Sequence, residues 1–174
     1  SDEHQLWHAA VVAVGWMYME LERAVVELES AVALQEPDGR LPAGRGRDGC
    51  ALPLITTIAR MIYHGCRSRQ RSLEGRLARL VPALDRYHDW LDRHSQRHLY
   101  VWQPGDDRVL GPDAPAVEQA QKDIGFNALL VQADSDLADV AIHTGHATRL
   151  IIARRTRRAQ SLASHLWWEE QQIF

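Results

Sequence analysis

Carboxylates and an aromatic ring are concentrated in one proline- and glycine-rich stretch, residues 95–115. Asp106, Asp107 and Asp113 lie close in sequence to Trp102. A sugar presents one apolar face and a rim of hydroxyl groups, so an indole ring beside carboxylates can make both kinds of contact. Cleavage of a glycosidic bond also needs two carboxyl groups, one to protonate the leaving oxygen and one to activate water or attack. The stretch therefore indicates a carbohydrate site, or else an acidic surface loop.

The histidines do not form a recognisable metal-binding pattern. Nine are present; His143 and His146 are three positions apart at a predicted helix end, while His94 and His98 flank a loop. Zinc sites need three or four converging donors, and the sequence has no Cys-x-x-Cys or His-Glu-x-x-His motif. Glycine-rich phosphate loops and dinucleotide fingerprints are missing as well. We therefore expect no metal and no cofactor.

Arginines are concentrated in two predicted helices. The residues concerned are Arg149, Arg154, Arg155, Arg157 and Arg158 in one, and Arg67, Arg69, Arg71, Arg76 and Arg79 in the other. A phosphate-rich partner is one interpretation. Against it, the formal net charge is −3 and no aromatic residues alternate with these arginines for base stacking. We predict that both sets form solvated faces and that nucleic acid is not a partner.

Hydrophobic spacing is helical almost throughout the chain, and the alternation typical of strands is nearly absent. The pattern predicts six helices, at about 5–19, 21–35, 53–64, 72–94, 117–144 and 147–168. Pro82 should kink or split the fourth helix, and Gly65 should end the third. The prediction is an all-α fold of consecutive antiparallel α-hairpins, with residues 1–174 as a single helical domain and a long loop at about 95–115.

Length and composition are those of an ordinary globular protein. The 174 residues, 45% of them hydrophobic, can form a core without disulfide or metal cross-links. Cys50 and Cys66 are too few for a secreted disulfide framework, which favours the cytoplasm. No apolar run reaches the roughly 20 residues that a membrane span requires, so we expect no membrane association.

Several short motifs follow one another in a characteristic order. They are Gln-Leu-Trp-His at 5–8, Gln-Glu-Pro-Asp-Gly-Arg-Leu-Pro at 35–42, Leu-Pro-Leu-Ile at 52–55, Tyr-His-Asp-Trp-Leu at 87–91, Leu-Tyr-Val-Trp-Gln-Pro at 99–104, Phe-Asn-Ala-Leu-Leu at 126–130 and Leu-Trp-Trp-Glu-Glu at 166–170. In this order they resemble the six-hairpin glycosidases, which include trehalase, mannosyl-oligosaccharide glucosidase and glucosylglycerate or mannosylglycerate hydrolase. The resemblance implies a partial (α/α)6 toroid and hydrolysis of an α-linked glucoside or mannoside by water, with inversion.

The resemblance also implies where the site residues lie. The family's acid belongs to a His-Pro-x-Glu-x-Gly-x-Asp loop; alignment on Pro104 brings Asp106 onto the glutamate and Leu110 onto the catalytic aspartate. The implied proton donor lies between Asp106 and Asp113, with Asp106 and Asp107 as the candidate catalytic residues. The candidate substrate-binding residues are Trp7, Trp102, Asp38, Arg40 and Asp113.

The family's ring contains twelve helices in six hairpins, whereas 174 residues suffice for about three hairpins. The resemblance thus implies about half of the toroid and an incomplete site, because the family's catalytic base comes from the other half. His8 and Ala51 also stand where the family has an acid and a glutamine, so the site is expected to be degenerate.

Two functional interpretations remain open. One is a glycosidase-like domain with a carbohydrate ligand, whose ring is completed by a second copy or by a partner chain. The other is a non-catalytic binding or assembly module that oligomerises through uncovered apolar helix faces. Trp7, Trp16 and the mostly apolar first helix favour an oligomer in either case.

Overall fold

The computed structural model describes residues 6–44, 49–103, 106 and 122–166. In these residues the helices are α1 (Leu6–Met19), α2 (Leu21–Val32), α3 (Leu54–Arg69), α4 (Glu74–Ala78), α5 (Val81–Arg93), α6 (Ile124–Thr144) and α7 (Arg149–Leu166), with a 3-10 turn at Arg71–Leu73. An antiparallel hairpin of two short strands, β1 (Ser95–Gln96) and β2 (Leu99–Tyr100), follows α5. The all-α prediction is confirmed, although the sequence pattern did not reveal this hairpin.

Local chemistry determines several helix ends. The predicted helix at 72–94 is split into α4 and α5, and Pro82 lies in the first turn of α5, where its missing N–H costs no hydrogen bond. Asp123 caps α6, because its carboxylate accepts the Phe126 N–H at 2.6 Å. Gly145 ends α6 with a φ of 75°, a left-handed conformation that glycine adopts without strain.

The prediction that α3 ends at Gly65 is wrong, because the helix continues to Arg69. Gly65 lies against α1 and α2: a Cβ added there would meet Leu21 at 3.5 Å and Met17 at 3.6 Å. The final turn of α3 is held by Arg69, which donates to the Met17 carbonyl oxygen at 2.9 Å. Tertiary packing therefore outweighs the helix-ending tendency of glycine here.

The helices form two layers. One layer consists of α1, α3 and α6, in which α1 contacts α3 and α3 contacts α6. The other consists of α2, α5 and α7. Of these, α2 packs on α1 and α3, while α5 and α7 pack on α6. Only Glu20 separates α1 from α2, and residues 145–148 separate α6 from α7, so each of these pairs is an antiparallel hairpin. The long connections consequently lead into the N-terminal ends of α3 and α6, on one side of the molecule.

One face of α1 is apolar and exposed. Val11, Val12, Gly15, Tyr18 and Met19 lie on it at helical spacing, and Tyr18 and Met19 are each 71% exposed. The opposite face of α1 contributes to the core that joins it to α2 and α3. Among the described helices, none is long and apolar enough to cross a membrane.

Candidate functional site

Three chain segments meet at the N-terminal ends of α1 and α3. The Leu6 N–H donates to the Ala43 carbonyl at 2.9 Å, the Ala43 N–H to Gly49 at 2.9 Å, and the Ala51 N–H to Leu41 at 2.8 Å. The connection between α2 and α3 is thereby tied to the beginning of both helices. We call this side of the molecule, with the β hairpin and the start of α6, the loop end.

Asp106 lies inside the loop end and is 7% exposed. Its Oδ1 accepts the Cys50 N–H at 2.8 Å. Its Oδ2 accepts the Tyr100 hydroxyl at 2.9 Å and the Gln103 N–H at 2.8 Å. The carboxylate therefore connects the approach to α3 with the segment that follows β2.

Asn127 makes the corresponding connection to α6. Its Oδ1 accepts the Tyr100 N–H at 2.7 Å, and its Nδ2 donates to the carbonyl oxygens of Tyr100 at 3.0 Å and Asp123 at 2.8 Å. The side chain is buried, so it substitutes for strand pairing at the end of β2. Sequence reasoning included Asn127 in a motif without giving it a role. We call Cys50, Tyr100, Asp106 and Asn127 together the loop bracket.

The thiol and phenol groups of the loop end act as hydrogen-bond donors. The Cys50 thiol donates to the Tyr100 hydroxyl at 3.3 Å, and the Tyr87 hydroxyl donates to the Ala51 carbonyl. Burial raises the pKa of Cys50, of Tyr100 and of Tyr87 well above the usual values. All three groups are therefore protonated at neutral pH, which makes Cys50 a poor nucleophile.

Asp38 is oriented by backbone and indole donors. Its Oδ1 accepts the Arg40 N–H at 3.0 Å and its Oδ2 accepts the Trp90 Nε1–H at 2.9 Å. The Arg40 backbone N–H, more than any other group, holds the pKa of Asp38 below its usual value. The Arg40 guanidinium pairs with Glu36 at 2.8 Å, so both predicted substrate-binding residues take part in one ordered turn.

This turn packs closely on α5. Gly39 has a φ of 102°, and a Cβ at this position would lie 2.8 Å from the Arg86 carbonyl oxygen. Glycine is required there for both reasons. The Arg93 guanidinium also donates to the Asp38 carbonyl oxygen at 2.7 Å, so the turn is fixed relative to the C-terminal half of α5.

The predicted site residues are partly brought together. The Trp90 ring, which binds Asp38, lies 6.3 Å from the Tyr100 ring, which binds Asp106. Trp102 lies in the same region but is only 6% exposed, which leaves little of its indole for a sugar to stack on. The Trp7 side chain and residues Asp107 and Asp113 lie outside the described residues.

A second polar group is buried between α3, α5 and α6. The His88 Nδ1–H donates to Asp134 Oδ1 at 2.7 Å, so Nε2 accepts the Thr56 hydroxyl at 2.9 Å. A hydroxyl, an imidazole and a carboxylate in this order resemble a catalytic triad. All three side chains are buried, however, so no substrate reaches the hydroxyl and the arrangement joins the helices instead.

Arg154 and Arg158 of α7 bind the same carboxylate. Arg154 Nε donates to Asp134 Oδ1 at 3.0 Å, and Arg158 Nη1 donates to Asp134 Oδ2. The two arginines are 2% and 1% exposed, and α5 supplies further acceptors, namely Asp85, Asp89 and Asp92. The prediction of a solvated arginine face is therefore wrong for Arg154 and Arg158, while Arg149 and Arg157 are exposed.

The buried imidazole gives folding a pH dependence. Burial, assisted by Arg154 and Arg158, holds the pKa of His88 below 6.5 although Asp134 opposes this. Below about pH 6.5 the unfolded chain takes up a proton that folded His88 does not bind. We expect the free energy of unfolding to decrease with falling pH, by up to about 1.4 kcal/mol per pH unit from this residue, until folded His88 is protonated.

Urea unfolding between pH 7.5 and pH 5 measures this dependence. His88→Asn keeps a donor for Asp134 without a titratable ring, so its slope should be shallower than that of the parent chain. His165→Asn, which removes an exposed histidine of α7, serves as the matched control and should retain the parent slope. Identical slopes for His88→Asn and the parent would contradict the account.

Across the described ranges, no group of three or more His, Cys, Asp or Glu side chains is arranged to hold a metal ion.

Solved structures share this fold. An uncharacterised conserved protein from Thermus thermophilus has a TM-score of 0.79 and 22% identity, over 97% of this chain and 59% of that chain. The GH63 mannosylglycerate hydrolase from the same organism, in complex with glucose, has a TM-score of 0.80 and 23% identity, over 98% of this chain and 60% of that chain. The same hydrolase with Tris and D-glycerate has a TM-score of 0.80 and 21% identity, over 97% and 60%.

The chain thus spans about 60% of the length of these solved relatives, and its fold is a partial six-hairpin toroid. No curated protein sequence matches it. The model of one family, the mannosylglycerate hydrolase MGH1-like glycoside hydrolase domain, matches residues 3–174. Because this match covers nearly the whole sequence, the chain belongs to the MGH1-like glycoside hydrolase domain family.

Proposed function

We propose that this chain forms the loop-bearing part of a glycoside hydrolase that cleaves an α-linked mannoside or glucoside. The observation that carries the proposal is the family match over residues 3–174. The solved mannosylglycerate hydrolase was obtained with glucose and with D-glycerate, so α-mannosylglycerate is the first substrate to test. The loop end is the proposed carbohydrate site, with Trp7, Asp38, Arg40 and Asp113 as its candidate sugar contacts, whereas the buried Trp102 supports the site from below its surface.

In the proposed reaction, the bond between the anomeric carbon and the leaving oxygen breaks. The leaving oxygen takes a proton from a carboxyl group in the stretch 106–113, which contains the sequence-based candidates Asp106 and Asp107. A water oxygen bonds to the anomeric carbon from the opposite face, and a second carboxylate takes the proton of that water. That second carboxylate belongs to the remaining part of the ring.

The exposed face of α1 is the proposed edge at which a second copy or a partner chain completes the ring. Four large hydrophobic side chains are exposed there: Val11, Val12, Tyr18 and Met19. Contiguous exposed apolar surface of this kind usually marks an interaction site. The chain spans about 60% of the length of its solved relatives, and an apolar edge of this kind is where the remaining helices of such a ring would pack.

A non-catalytic binding or assembly module is the second candidate function. Two points favour it: in the motif alignment on Pro104, Leu110 falls on the family's catalytic aspartate, and the exposed apolar α1 face is suited to association with or without catalysis. For either function the proposed location is the cytoplasm, which is consistent with the free thiols of Cys50 and Cys66.

Titration of the purified chain with α-mannosylglycerate distinguishes the two candidates. The hydrolase-like function predicts saturable shifts in the NMR amide signals of loop-end residues such as Ala43 and Gln103, with little change in α7. The β-linked isomer is the matched control ligand and should bind more weakly. If no α-mannoside or α-glucoside shifts these signals, the assembly module is the correct interpretation.

A further inference from the structure

Both carboxylate oxygens of Asp106 accept hydrogen bonds from the protein. The three donors come from two separate segments: Cys50 lies before α3, whereas Tyr100 ends β2 and Gln103 follows it. Two of these donors are backbone N–H groups, which only an acceptor satisfies. The protein thus occupies three of the roughly four acceptor positions of the carboxylate.

A proton donor for glycoside cleavage must direct one carboxyl oxygen at the glycosidic oxygen of the substrate. Oδ1 of Asp106 is directed at the Cys50 N–H, and Oδ2 is directed at the Tyr100 hydroxyl and the Gln103 N–H. Three protein donors already occupy these two oxygens, and the residue is 7% exposed, so little of the carboxyl group is left to face a glycosidic oxygen. This geometry does not suit the acid of the reaction.

The same contacts suit a positioning role. Through Tyr100, Asp106 is linked to Asn127 in the first turn of α6, and through Cys50 it is linked to the approach to α3. The loop bracket thus sets the relative position of the two segments that lead into these helices. The residues of the loop bracket are buried, so the loss of any one hydrogen-bond partner should loosen the chain segments next to it.

We infer that Asp106 is a positioning residue of the carbohydrate site, which fixes the approach to α3 against the segment after β2, and that it is not the proton donor. The inference rests on the proposed function, because a site must exist for its loops to be positioned. Of the two candidate catalytic residues taken from the sequence, Asp107 then remains as the candidate proton donor.

The two cysteines provide a test that needs no sugar. Cys50 belongs to the loop bracket, whereas Cys66 is buried in α3, so Cys66 reports on the fold as a whole. Alkylation of each thiol by iodoacetamide can be followed by peptide mass spectrometry. Asp106→Ala and the milder Tyr100→Phe should both increase the rate at Cys50, Asp106→Ala by about tenfold or more, a factor that corresponds to one lost hydrogen bond. The rate at Cys66 should not change.

A variant that keeps the carboxylate serves as the matched control. Asp106→Glu should protect Cys50 better than Asp106→Asn, because an asparagine presents an N–H donor to the Tyr100 and Gln103 side of the site. Unchanged Cys50 rates in Asp106→Ala and Tyr100→Phe, or equal increases at both thiols, would overturn the positioning role. So would an Asp106→Asn variant that keeps Cys50 protected and sugar affinity intact but loses kcat, since that is the behaviour of a proton donor. Failure of sugar binding by the parent chain would instead count against the proposed function and leave the thiol result unaffected.

Discussion

Replacing Asp134 with asparagine is expected to lower the free energy of unfolding by about 3–5 kcal/mol, the cost of breaking a buried ion pair from one side. Asp134 is the shared acceptor for His88, Arg154 and Arg158. Although burial opposes it, His88 and the two guanidinium groups hold the pKa of Asp134 well below its usual value. An asparagine would leave two buried positive charges without their central counter-charge.

Asp89 provides the matched control for this substitution. It also pairs with Arg154, but its side chain is 54% exposed, and ion pairs of this kind contribute about 0–1 kcal/mol. Urea unfolding of Asp134→Asn and Asp89→Asn at neutral pH compares the two directly. Equal losses would show that the buried carboxylate does not organise the arginines of α7.

Substitution of Val12 by lysine is expected to weaken self-association or partner binding by about 30-fold or more, the effect of losing an interface hot spot. Val12 lies on the exposed apolar face of α1. A charge at the centre of this face would have to be buried without a partner when neighbouring helices cover it, and that is costly. Sedimentation velocity over a range of chain concentrations measures the effect.

Val26→Lys is the matched control, because Val26 of α2 is 44% exposed and Val12 is 48% exposed. Both variants add the same charge to a valine of similar exposure, but only Val12 lies on the α1 face. If the two variants weaken association equally, the α1 face is not the interface. A parent chain that stays a monodisperse monomer at high concentration in light scattering would contradict the prediction from the start.

Hydrophobic periodicity was sufficient to predict the all-α fold, because it reports which residues of a segment face the core. It could not predict helix ends that depend on contacts between distant segments. The last turn of α3 beyond Gly65 is one example, since Arg69 is held by the carbonyl of Met17 in α1. The β hairpin at 95–100 is too short for an alternating pattern to be visible.

Contacts between polar groups on different helices were harder to predict from the sequence. Spacing indicated that Arg154 and Arg158 share one face of α7, but it did not reveal that this face meets α5. Asp85, Asp89 and Asp92 at helical spacing on α5 were the available signal. Complementary charges on two helices indicate a contact only once the helices are known to be neighbours.

The carboxylates of the loop end illustrate the same limit for chemistry. Composition identified Asp106 as an acid in a candidate functional loop, yet its role depends on where its two oxygens point. Three protein donors occupy them, and their sequence positions range from 50 to 103. Motif alignment selected Asp106 as a candidate, whereas the direction of each carboxylate oxygen depends on segments that are distant in sequence and meet only in the folded chain.

The central proposal is that this chain supplies substrate-facing loops of a glycoside hydrolase, and that a second carboxylate from outside these residues completes the reaction. The most direct test is the specific activity toward α-mannosylglycerate, measured as a function of chain concentration alongside sedimentation velocity. We predict that no mannose is released at concentrations where the chain sediments as a monomer, so that any release requires an assembly. A constant specific activity from the monomer would contradict the claim.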